Sequence, residues 1–564
     1  MPKRTGKERV LVLCALPYTN AVPHIGNMVG SHLPADIFAR FCRLKGAETL
    51  FVGATDENGT PTEVAALELG ITPRELTDVL YRVHRDIYNW FEISYDNFSR
   101  TSSPTHHRTT QEFFLEVNRN GFVSEGMMRL PYCEKDRIFL PDRYVEGTCP
   151  VCGYEFARGD QCERCATLLD PIQLINPRCK VDGSVPVFKD SKQLFLELGK
   201  VQDRLERWIG SKKTWRTQVT SLAQGWIKEG LKKRSITRDL RWGVPIPLDG
   251  YRDKVFYVWF DAPIGYVSAT KEWAARQGDE EDWKKFWLDD DAKIYNFLGK
   301  DNIPFHTIFW PGMLMAHGKM NLPYEVVGLQ FCNYEGDKIS KSRNWGIFCE
   351  NIPKAGLDPD IWRYYLIQII PETRDTEFKW EDFKSKVNNE LVANIGNFIH
   401  RTTTFTWNNF GGEVAAELDP GGKELVKEAS ALTAEAEGLL GEVRFRDSLA
   451  KILAMADLGN EYFQRNQPWL LVKSDRARCE AVIRACLELC TTISILLQPF
   501  LPSSSERVLA LLGAEPRLGE AKPRRKIKLT SKPEIPFKKL EDSQIELAKS
   551  MTTKSKPVSE YFRR

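Results

Sequence analysis

Short apolar runs and helical periodicity alternate in the first half of the chain. Residues 10–13 and 49–52 form compact apolar runs, and residues 25–45 between them carry apolar positions at helical spacing. Similar short runs recur at residues 256–259 and 294–298. The pattern predicts a strand, a helix and a second strand, followed later by two more strands.

Beyond about residue 382 the pattern is almost wholly helical, without strand-like alternation. Residues 387–401 predict one long amphipathic helix, in which Asn397 and Arg401 share a face because they are four positions apart. Pro468 suits the first turn of another helix, with Trp469 beside it. After residue 518 several prolines argue against a continuous helix, so we expect a tail with one short helix at 540–550 and with residues 535–537 docked on the body.

Length and charge narrow the class of protein. With 564 residues the chain exceeds what one hydrophobic core normally supports, so several domains are expected. No apolar stretch reaches the ~18 residues of a membrane span, and the N-terminus lacks the apolar core of a signal peptide, which predicts a cytoplasmic protein without membrane contact.

The net charge is +3, but residues 517–564 hold 14 Lys or Arg against 6 Asp or Glu. Nucleic-acid binding by the acidic body would therefore depend on local basic patches.

A turn and a distant loop are candidates for phosphate binding. A helix that begins at His24, in the segment His24-Ile25-Gly26-Asn27, would direct free backbone N–H groups and its positive dipole end above the first strand. The cationic loop at 336–344 contains Lys338-Ile339-Ser340-Lys341-Ser342. Either segment alone is a weak signal, because a His before a Gly is usually a turn residue and a Lys/Ser loop is usually plain surface.

Six of the 13 cysteines cluster between residues 133 and 179. Cys149, Cys152, Cys162 and Cys165 form two CxxC turns that can present four thiolates tetrahedrally, which predicts one structural zinc rather than unrelated thiols or a redox pair. Two similar turns flank this knuckle, and each has one Cys and an Asp where a second Cys would complete the motif. They are Cys133 with Asp136 and Cys179 with Asp182. A mixed Cys/Asp zinc site is possible, but carboxylate is a harder ligand than thiolate, so we favour loss of this second metal.

The turn and the loop together resemble the HIGH and KMSKS signatures of class I aminoacyl-tRNA synthetases. Longer motifs narrow the resemblance to the methionyl-tRNA synthetases, from about residue 9 to about residue 513. These motifs are Ala15-Leu16-Pro17-Tyr18, residues 51–60, Ile236-Thr237-Arg238-Asp239, residues 257–266 and Gly299-Lys300-Asp301-Asn302. Asn27 stands where the usual signature has its second His, and this variant of the signature resembles that of the eukaryote-like branch of the family.

The resemblance implies a split Rossmann-like α/β nucleotide-binding domain with a zinc-knuckle insertion, followed by an all-α anticodon-binding domain. The corresponding boundaries are residues 1–125 and 236–330 for the two catalytic halves, 126–235 for the insertion, 331–382 for the KMSKS-loop region, 383–515 for the anticodon-binding domain and 516–564 for the basic tail. No appended tRNA-binding barrel of the kind some relatives carry is visible, which favours a monomer.

The resemblance also implies a two-step reaction. Methionine and ATP with Mg²⁺ would form methionyl-adenylate and pyrophosphate, and the methionyl group would then pass to the 3′ end of tRNA(Met), including the initiator tRNA, for translation initiation and elongation. The implied catalytic residues are His24, Asn27, Lys338 and Lys341, joined in ATP binding by Gly26, Gly299 and Asp301. The implied methionine-binding residues are Leu16, Tyr18, Asp56, Arg238, Trp259, Pro263, Tyr266 and His306. The implied anticodon contacts are Asn397, Arg401, Pro468 and Trp469.

Neighbouring families fit the sequence less well. Isoleucyl, valyl and leucyl enzymes carry a large editing domain inside the split, whereas this interval holds only the compact cysteine segment. Cysteinyl enzymes use zinc in the active site, whereas these four cysteines lie inside the insertion. A catalytically inactive RNA-binding relative is a further alternative, but Lys338, Lys341, His24 and Asp56 are all in place.

Overall fold

The structure is a computed structural model, and its central element is a five-stranded parallel sheet. It describes residues 7–562 except 136, 141–143, 160, 161, 163, 166, 168, 181, 342, 519–523 and 525. The strands of the sheet are β1 Arg9–Cys14, β2 Glu48–Thr55, β3 Asn97–Arg100, β4 Ala292–Gly299 and β5 Glu325–Leu329, in the order β5-β4-β1-β2-β3. Because the order reverses between β1 and β4, the crevice for a ligand is expected at the carboxyl ends of these two strands.

The side chains of β1 alternate between two hydrophobic cores. Val10 and Val12 belong to the core shared with the C-terminal helices, whereas Leu11 and Leu13 belong to the core on the other face of the sheet. Both faces of the sheet are therefore buried, which explains why its strands are continuous apolar runs in the sequence. The predicted strands at residues 10–13, 49–52 and 294–298 are confirmed.

The strand predicted at residues 256–259 is wrong. Val255–Phe256 pairs with Thr237–Arg238 in a separate antiparallel ribbon, and a helical turn, Val258–Asp261, begins directly afterwards. The Tyr257 N–H donates to the Ile236 carbonyl, and the Ala262 N–H closes the turn on the Val258 carbonyl. A short apolar run does not distinguish a strand from a buried helical turn, and here long-range pairing decided between them.

Helices cover the two faces of the sheet. The predicted helix after β1 is continuous from residue 25 to residue 44, with a wider π-helical stretch at Met28–His32. Other helices of the catalytic halves are Thr60–Leu69, Pro73–Trp90, Pro104–Arg119, Ile264–Gln277, Lys284–Trp287 and Phe305–Phe309, which is continued by Trp310–His317. The helix Pro359–Gln368 follows in the region 331–382.

The insertion between β3 and β4 is built on antiparallel strands. Val123–Cys133 pairs along its length with Val187–Leu196, and the connection between them holds the small sheet of Ala157–Arg158, Val145–Thr148 and Ile175–Cys179. Two helices, Gln202–Ser211 and Thr217–Glu229, lead back towards the central sheet.

The C-terminal half is helical, as predicted, apart from one short ribbon. Its main helices are Trp380–Lys386, Val387–Gly396, Asn397–Phe410, Pro420–Gly441, Phe445–Asn466, Pro468–Ser474, Arg476–Leu497 and Pro502–Leu511. The helix predicted at 387–401 is present but π-helical over Val387–Gly396. Glu413–Val414 pairs with Ile527–Lys528, a two-residue ribbon that the sequence pattern did not reveal.

A buried arginine joins the two halves. The fully buried guanidinium of Arg363 donates to the Asp36 carboxylate at 2.8 Å and to the carbonyls of Phe91, Pro499 and Phe500. Asp36 belongs to the helix that follows β1, and residues 499–500 follow the long helix Arg476–Leu497. Because such a charge is costly to bury unless fully paired, this cluster ties the helical half to the catalytic sheet in one arrangement.

The tail folds back over the molecule. Its predicted helix is present at Asp542–Thr552, and the buried ring of Phe537 packs against Gly396, which confirms the expected docking; Ile535 remains 60% exposed. None of the helices in the described part of the chain is long and apolar enough to span a membrane.

Candidate active site and nucleic-acid interface

A pocket opens at the carboxyl ends of β1 and β4, where the sheet topology places it. It offers about 90 Å³ of open space, several times the ~10–15 Å³ that a water molecule occupies by a comparable measure. Seven of the eight residues predicted to bind methionine line it: Leu16, Tyr18, Asp56, Trp259, Pro263, Tyr266 and His306. The remaining lining residues are Ala15, Ala262, Asn302, Phe305 and Phe309. The walls are thus aromatic and aliphatic, with Asp56 the one acidic side chain among them.

Asp56 is held in the pocket by its backbone. Its N–H donates to the Pro17 carbonyl at 2.8 Å, and its carbonyl accepts from the Thr19 N–H at 3.1 Å, which joins the end of β2 to the turn after β1. Its side chain is buried, and within the described part of the chain Oδ1 has no hydrogen-bond partner. Burial and the nearby Asp261 carboxylate raise the pKa of Asp56 well above its usual range. An unpaired buried acceptor of this kind suits a substrate ammonium group.

His306 and Tyr266 form a neutral polar pair inside the apolar wall. His306 Nδ1 donates to the Asn302 carbonyl at 3.1 Å, which leaves Nε2 to accept from the Tyr266 hydroxyl at 3.0 Å. Burial lowers the pKa of His306 to about 4, so the ring is neutral near pH 7. The pair can therefore lie beside a thioether without placing a charge in the pocket.

Arg238 is the predicted methionine residue that does not line the pocket. Its guanidinium lies 3.7 Å from the centre of the Tyr257 ring and donates to the Ser235 hydroxyl and the Thr237 carbonyl. The Tyr257 ring in turn lies 5.1 Å from that of Trp259, which does line the pocket. Arg238 is thus one aromatic layer behind the wall, and its role in the active site remains a prediction.

Backbone hydrogen bonds join the first signature segment to residues 347–349, which follow the signature loop directly. The Ile25 N–H donates to the Ile347 carbonyl at 3.1 Å, and the Cys349 N–H donates to the Pro23 carbonyl at 3.0 Å. A Cβ on Gly26 would lie 2.9 Å from the His24 ring and 3.4 Å from Ile339 Cδ1, so glycine is required where the loop approaches the helix. Ile339 is partly buried beneath its loop and packs against the hydrophobic core.

The side chains at this junction combine a helix cap with a partly buried cation, Lys341. Asn27 accepts the His24 N–H through its Oδ1 at 3.0 Å, which caps the helix and leaves the amide nitrogen as a donor. Burial and the nearby Lys341 lower the pKa of His24 to about 3, and burial lowers the pKa of Lys341 to about 8. Lys338 is exposed on the loop, whereas Ser342 lies outside the described residues.

The remaining predicted nucleotide residues follow β4. Gly299 ends the strand, and a Cβ there would lie 2.9 Å from Asp301 Oδ1, so the carboxylate bends back across the glycine. The Ala15 N–H donates to the Phe297 carbonyl at 2.9 Å, which fastens the start of the pocket to the same strand. Gly299 and Asp301 therefore lie beside β1, on the same edge of the sheet as His24.

The four knuckle cysteines converge. Their Sγ atoms all lie within 4.8 Å of one another, with 3.8 Å between Cys149 and Cys165 and 3.6 Å between Cys152 and Cys162. Four thiolates arranged tetrahedrally at the ~2.3 Å typical of Zn–S bonds are separated by about 3.8 Å. The described residues thus fit a four-thiolate metal site, and the cluster can hold a metal ion.

The flanking pair also converges in part. Ligand atoms of Cys133, Cys179 and Asp182 lie within 4.8 Å of one another, whereas Asp136 lies outside the described residues. Asp182 is already engaged, because its Oδ1 accepts from the Ser184 N–H and hydroxyl, and Lys135 lies 3.6 Å away. Degeneration of this second metal site therefore stays a prediction.

Two of the predicted anticodon residues, Arg401 and Trp469, lie beside the Phe463 ring on the helical half. The Arg401 guanidinium lies 4.3 Å from the centre of the Phe463 ring and donates to the Asn460 carbonyl at 2.6 Å. The Trp469 ring lies 6.3 Å from the same Phe463 ring and is 40% exposed. Pro468 is buried and starts the helix that carries Trp469, and Asn397 is exposed. Gln467, directly before Pro468, has a left-handed backbone with φ +46°, a strained conformation that fixes the entry into this helix.

Several residues of these sites escaped the sequence analysis. Asp261 is fully buried beside Asp56, where its Oδ2 accepts from Asn58 at 2.6 Å and lies 3.4 Å from His106 Nε2. Phe463 connects Arg401 to Trp469, and Phe305 packs edge-on against Trp259 at 4.4 Å. The only local signal for Asp261 was its position within one of the recognised motifs, residues 257–266. Phe463 and Phe305 were recognised only from their contacts with other segments of the chain.

The parallel sheet, the pocket at its reversal point and the two neighbouring signature segments define the class I aminoacyl-tRNA synthetases. Two family models match the chain, described as tRNA synthetases class I (M) over residues 10–403 and as the anticodon binding domain of methionyl tRNA ligase over residues 414–551. By this evidence the chain belongs to the methionyl-tRNA synthetase family. The matches fall on the catalytic and helical halves described above.

Individual relatives agree with this assignment. The methionine–tRNA ligase of Thermococcus kodakarensis is 45% identical over 527 residues, which cover 90% of this chain and 70% of the relative. That of Pyrococcus abyssi is 43% identical over 95% of this chain and 76% of the relative. The cytoplasmic methionine–tRNA ligase of Homo sapiens is 42% identical over 91% of this chain but only 57% of its own length.

A solved structure shares the fold. Mycobacterium tuberculosis methionyl-tRNA synthetase in complex with methionyl-adenylate superposes with a TM-score of 0.78 at 24% identity, covering 94% of this chain and all of that one. At this level of identity the likeness supports the α/β catalytic fold with its helical domain.

Proposed function

We propose that this protein activates methionine with ATP and transfers the methionyl group to tRNA(Met). The observation that carries the proposal is the pocket itself, in which seven predicted methionine residues lie beside the two signature segments. The methionine carboxylate attacks the α-phosphate of ATP and releases pyrophosphate. A hydroxyl of the 3′-terminal ribose then attacks the methionyl carbonyl of the adenylate and releases AMP. The first step requires positioning and charge neutralisation rather than a nucleophilic side chain.

Within the pocket, the proposed division of roles follows charge and burial. Asp56 receives the ammonium group, because it is the acidic lining residue and one of its oxygens has no partner within the described part of the chain. The neutral His306–Tyr266 pair and the rings around it surround the thioether. Arg238 acts from behind the aromatic wall. Methionine would thus be selected by an apolar slot of limited length and a single charge.

At the nucleotide, His24 and Asn27 would hold phosphate oxygens from the helix start, and Lys338 and Lys341 would neutralise them from the loop. Gly26 and Gly299 leave room for the nucleotide, and Asp301 accepts from ribose hydroxyls. Mg²⁺, bound with ATP, supplies the remaining positive charge.

The knuckle cysteines would hold one structural zinc per chain. Zinc supplies no chemistry to the reaction here; it would fix the insertion, which lacks a large core of its own. Metal analysis of the purified protein should return one equivalent, lost on Cys149→Ala. Two equivalents, with the second lost on Cys133→Ala, would show that the flanking site is intact.

On the helical half, Asn397, Arg401, Pro468 and Trp469 would meet the anticodon, with initiator and elongator tRNA(Met) both as substrates. Trp469 offers an exposed ring for stacking on an unpaired base, and Arg401 offers a cation beside it. Residues 383–515 serve as the anticodon-binding domain and 516–564 as a basic extension. The protein would act as a monomer in the cytoplasm.

The decisive experiment is ATP–pyrophosphate exchange with a panel of amino acids, followed by charging of tRNA transcripts. Methionine alone should support rapid exchange, and tRNA(Met) alone should be charged. Efficient exchange with isoleucine, leucine, valine or cysteine in place of methionine would overturn the proposal, as would methionine-independent binding of tRNA with no exchange at all.

A further inference from the structure

Phe463 lies between two of the residues proposed to meet the anticodon. It belongs to the helix Phe445–Asn466, and its ring is only 4% exposed. The Arg401 guanidinium lies 4.3 Å from the centre of this ring, and the Trp469 ring lies 6.3 Å from it at an interplanar angle of 36°. Arg401 and Trp469 come from two other helices. One buried ring thus adjoins both side chains that are offered to the RNA.

Asn460 supplies a second support for Arg401. Its carbonyl accepts a hydrogen bond from the Arg401 guanidinium at 2.6 Å. Asn460 precedes Phe463 by three positions, so both supports lie on one face of the same helix. The Asn460 amide donates in turn to the carbonyl and to Oδ1 of Asn394, at 3.2 and 2.8 Å. The guanidinium is therefore held by a ring and a carbonyl that are themselves fixed.

A glycine allows the two helices to approach closely enough for these contacts. A Cβ on Gly459 would lie 2.4 Å from the Phe398 ring, which is shorter than any side-chain contact could be. Phe398 precedes Arg401 by three positions on its helix, and Gly459 directly precedes Asn460. The close contact at Gly459 therefore brings the Arg401 side chain within reach of the Asn460 carbonyl.

Neither support neutralises the charge of Arg401. The ring of Phe463 and the carbonyl of Asn460 are both uncharged, and within the described part of the chain the guanidinium Nε has no hydrogen-bond partner. A guanidinium has several N–H donors in a rigid planar arrangement, so a fixed plane also fixes the direction of the donors that remain. The positive charge and these donors are thus available to an RNA ligand in one orientation.

We propose that Phe463 is a positioning residue for anticodon recognition, which orients Arg401 and Trp469 relative to each other and so determines how strongly an altered anticodon is rejected. The cation–π contact fixes the plane of the guanidinium, and ring packing supports Trp469. A base that stacks on Trp469 then meets Arg401 at a fixed position. Phe463 itself is buried and does not touch the RNA. This inference rests on the proposed anticodon contacts of Arg401 and Trp469.

The first test is Phe463→Leu, which keeps an apolar side chain and removes the ring. The quantity to measure is the ratio of charging efficiencies for a tRNA(Met) transcript and for the same transcript with one anticodon base changed. This ratio should fall about fivefold, because the orientation of the guanidinium is lost while its charge remains. Destabilisation alone would lower both efficiencies and leave the ratio unchanged. An unchanged ratio in the folded variant would overturn the proposal.

Phe405→Leu is the matched control. The Phe405 ring lies edge-on to the Phe463 ring at 6.1 Å, and its other ring contact is with Phe410. This variant removes a ring from the same cluster but no contact of Arg401 or Trp469, so the ratio should stay at the wild-type value. An equal fall in Phe405→Leu would indicate a merely structural role for the cluster and overturn the proposal.

Phe463→Met provides a second variant, because methionine fills the space of the ring with a flexible chain. It should lower the ratio as Phe463→Leu does, and it replaces that variant if Phe463→Leu does not fold. A wild-type ratio in folded Phe463→Met would contradict the inference.

A double-mutant cycle tests the coupling without relying on catalysis. The probe is a hairpin RNA with the anticodon loop of tRNA(Met), whose equilibrium binding is measured in solution. Phe463→Leu should weaken binding about fivefold in the otherwise unmodified protein. When Arg401 and Trp469 are both replaced by alanine, it should weaken binding by less than about twofold, because nothing is left to orient. Equal effects in the two backgrounds would contradict the inference.

The same measurements separate this inference from the proposed function. If Arg401→Ala and Trp469→Ala each weaken binding of the hairpin but Phe463→Leu does not, the inference fails while the anticodon surface stands. If neither alanine variant weakens binding, the proposed anticodon surface fails, and the role of Phe463 fails with it.

Discussion

The methionine pocket and the proposed anticodon surface differ in how far their side chains are exposed to solvent. In the pocket, Asp56 and His306 are 3% and 7% exposed, and their pKa values are shifted by burial. On the helical half, Trp469 is 40% exposed and Asn397 lies at the surface. A small ligand is selected by removing water from a few fixed groups, so a single ammonium or thioether can be distinguished.

An unpaired nucleotide base offers a large flat face, and it is recognised by rings that are already exposed. The groups beneath such a ring need only hold its orientation. Phe463 does so here, because Arg401 and Trp469 both contact it. Substitutions in the pocket and its signature loop should therefore affect the chemical step, whereas substitutions on the helical surface should affect only the RNA-dependent step.

Lys341→Ala should produce the largest effect. Its charge is needed mainly in the transition state of adenylation, and loss of such an electrostatic contact costs about 2.7–4 kcal/mol, or roughly 10²–10³ in rate. Methionine affinity, measured by equilibrium binding, should hardly change. Lys354→Ala removes a cation from the 3₁₀ helix Cys349–Ala355, which follows the loop, and serves as the control. Wild-type exchange in Lys341→Ala would refute the role of the loop.

Trp469→Ala should impair the charging of tRNA without impairing the formation of the adenylate. Stacking of one base on an aromatic ring contributes on the order of 1–3 kcal/mol, so aminoacylation efficiency should fall by roughly 5- to 150-fold. Exchange activity should stay near the wild-type value. Leu470→Ala is the matched control, since Leu470 is 54% exposed on the same helix.

Two results would contradict the assignment of Trp469, provided circular dichroism shows that the variant is folded. Equal loss of exchange and charging would indicate a packing role for the ring. If neither exchange nor charging falls, Trp469 does not contact the anticodon.

Methionine binding should weaken as the pH falls. The pKa of Asp56 is raised by burial and by Asp261, so Asp56 takes up a proton at a higher pH than an ordinary carboxyl and loses its attraction for the ammonium group. The KM for methionine should therefore rise on acidification, by at most about tenfold per pH unit. Asp261→Asn removes the neighbouring charge and should move this rise to lower pH. A KM independent of pH in both proteins would argue against ammonium binding by Asp56.

Much of the catalytic half could be predicted from local patterns. The continuous apolar runs of β1 and β2 indicate strands buried on both faces, and the spacing of Cys149, Cys152, Cys162 and Cys165 defines the knuckle without reference to the fold. The helix at Pro468–Ser474 followed from proline and its neighbours in the same way. These features depend on residues a few positions apart, for which sequence and geometry are directly linked.

Other features were decided only by tertiary structure. The run at 256–259 is ambiguous by itself, and its ribbon and helical turn were selected by pairing with Thr237–Arg238. The pKa of Asp56 is raised by burial and by Asp261, about 200 residues away. The Ser555 hydroxyl donates to Glu350 Oε1 across a similar separation in the chain. The sequence by itself determined the motifs, the knuckle and most of the elements. The charge state of the buried groups was determined by long-range packing, because burial and neighbouring charges set a pKa and neither is encoded by adjacent residues.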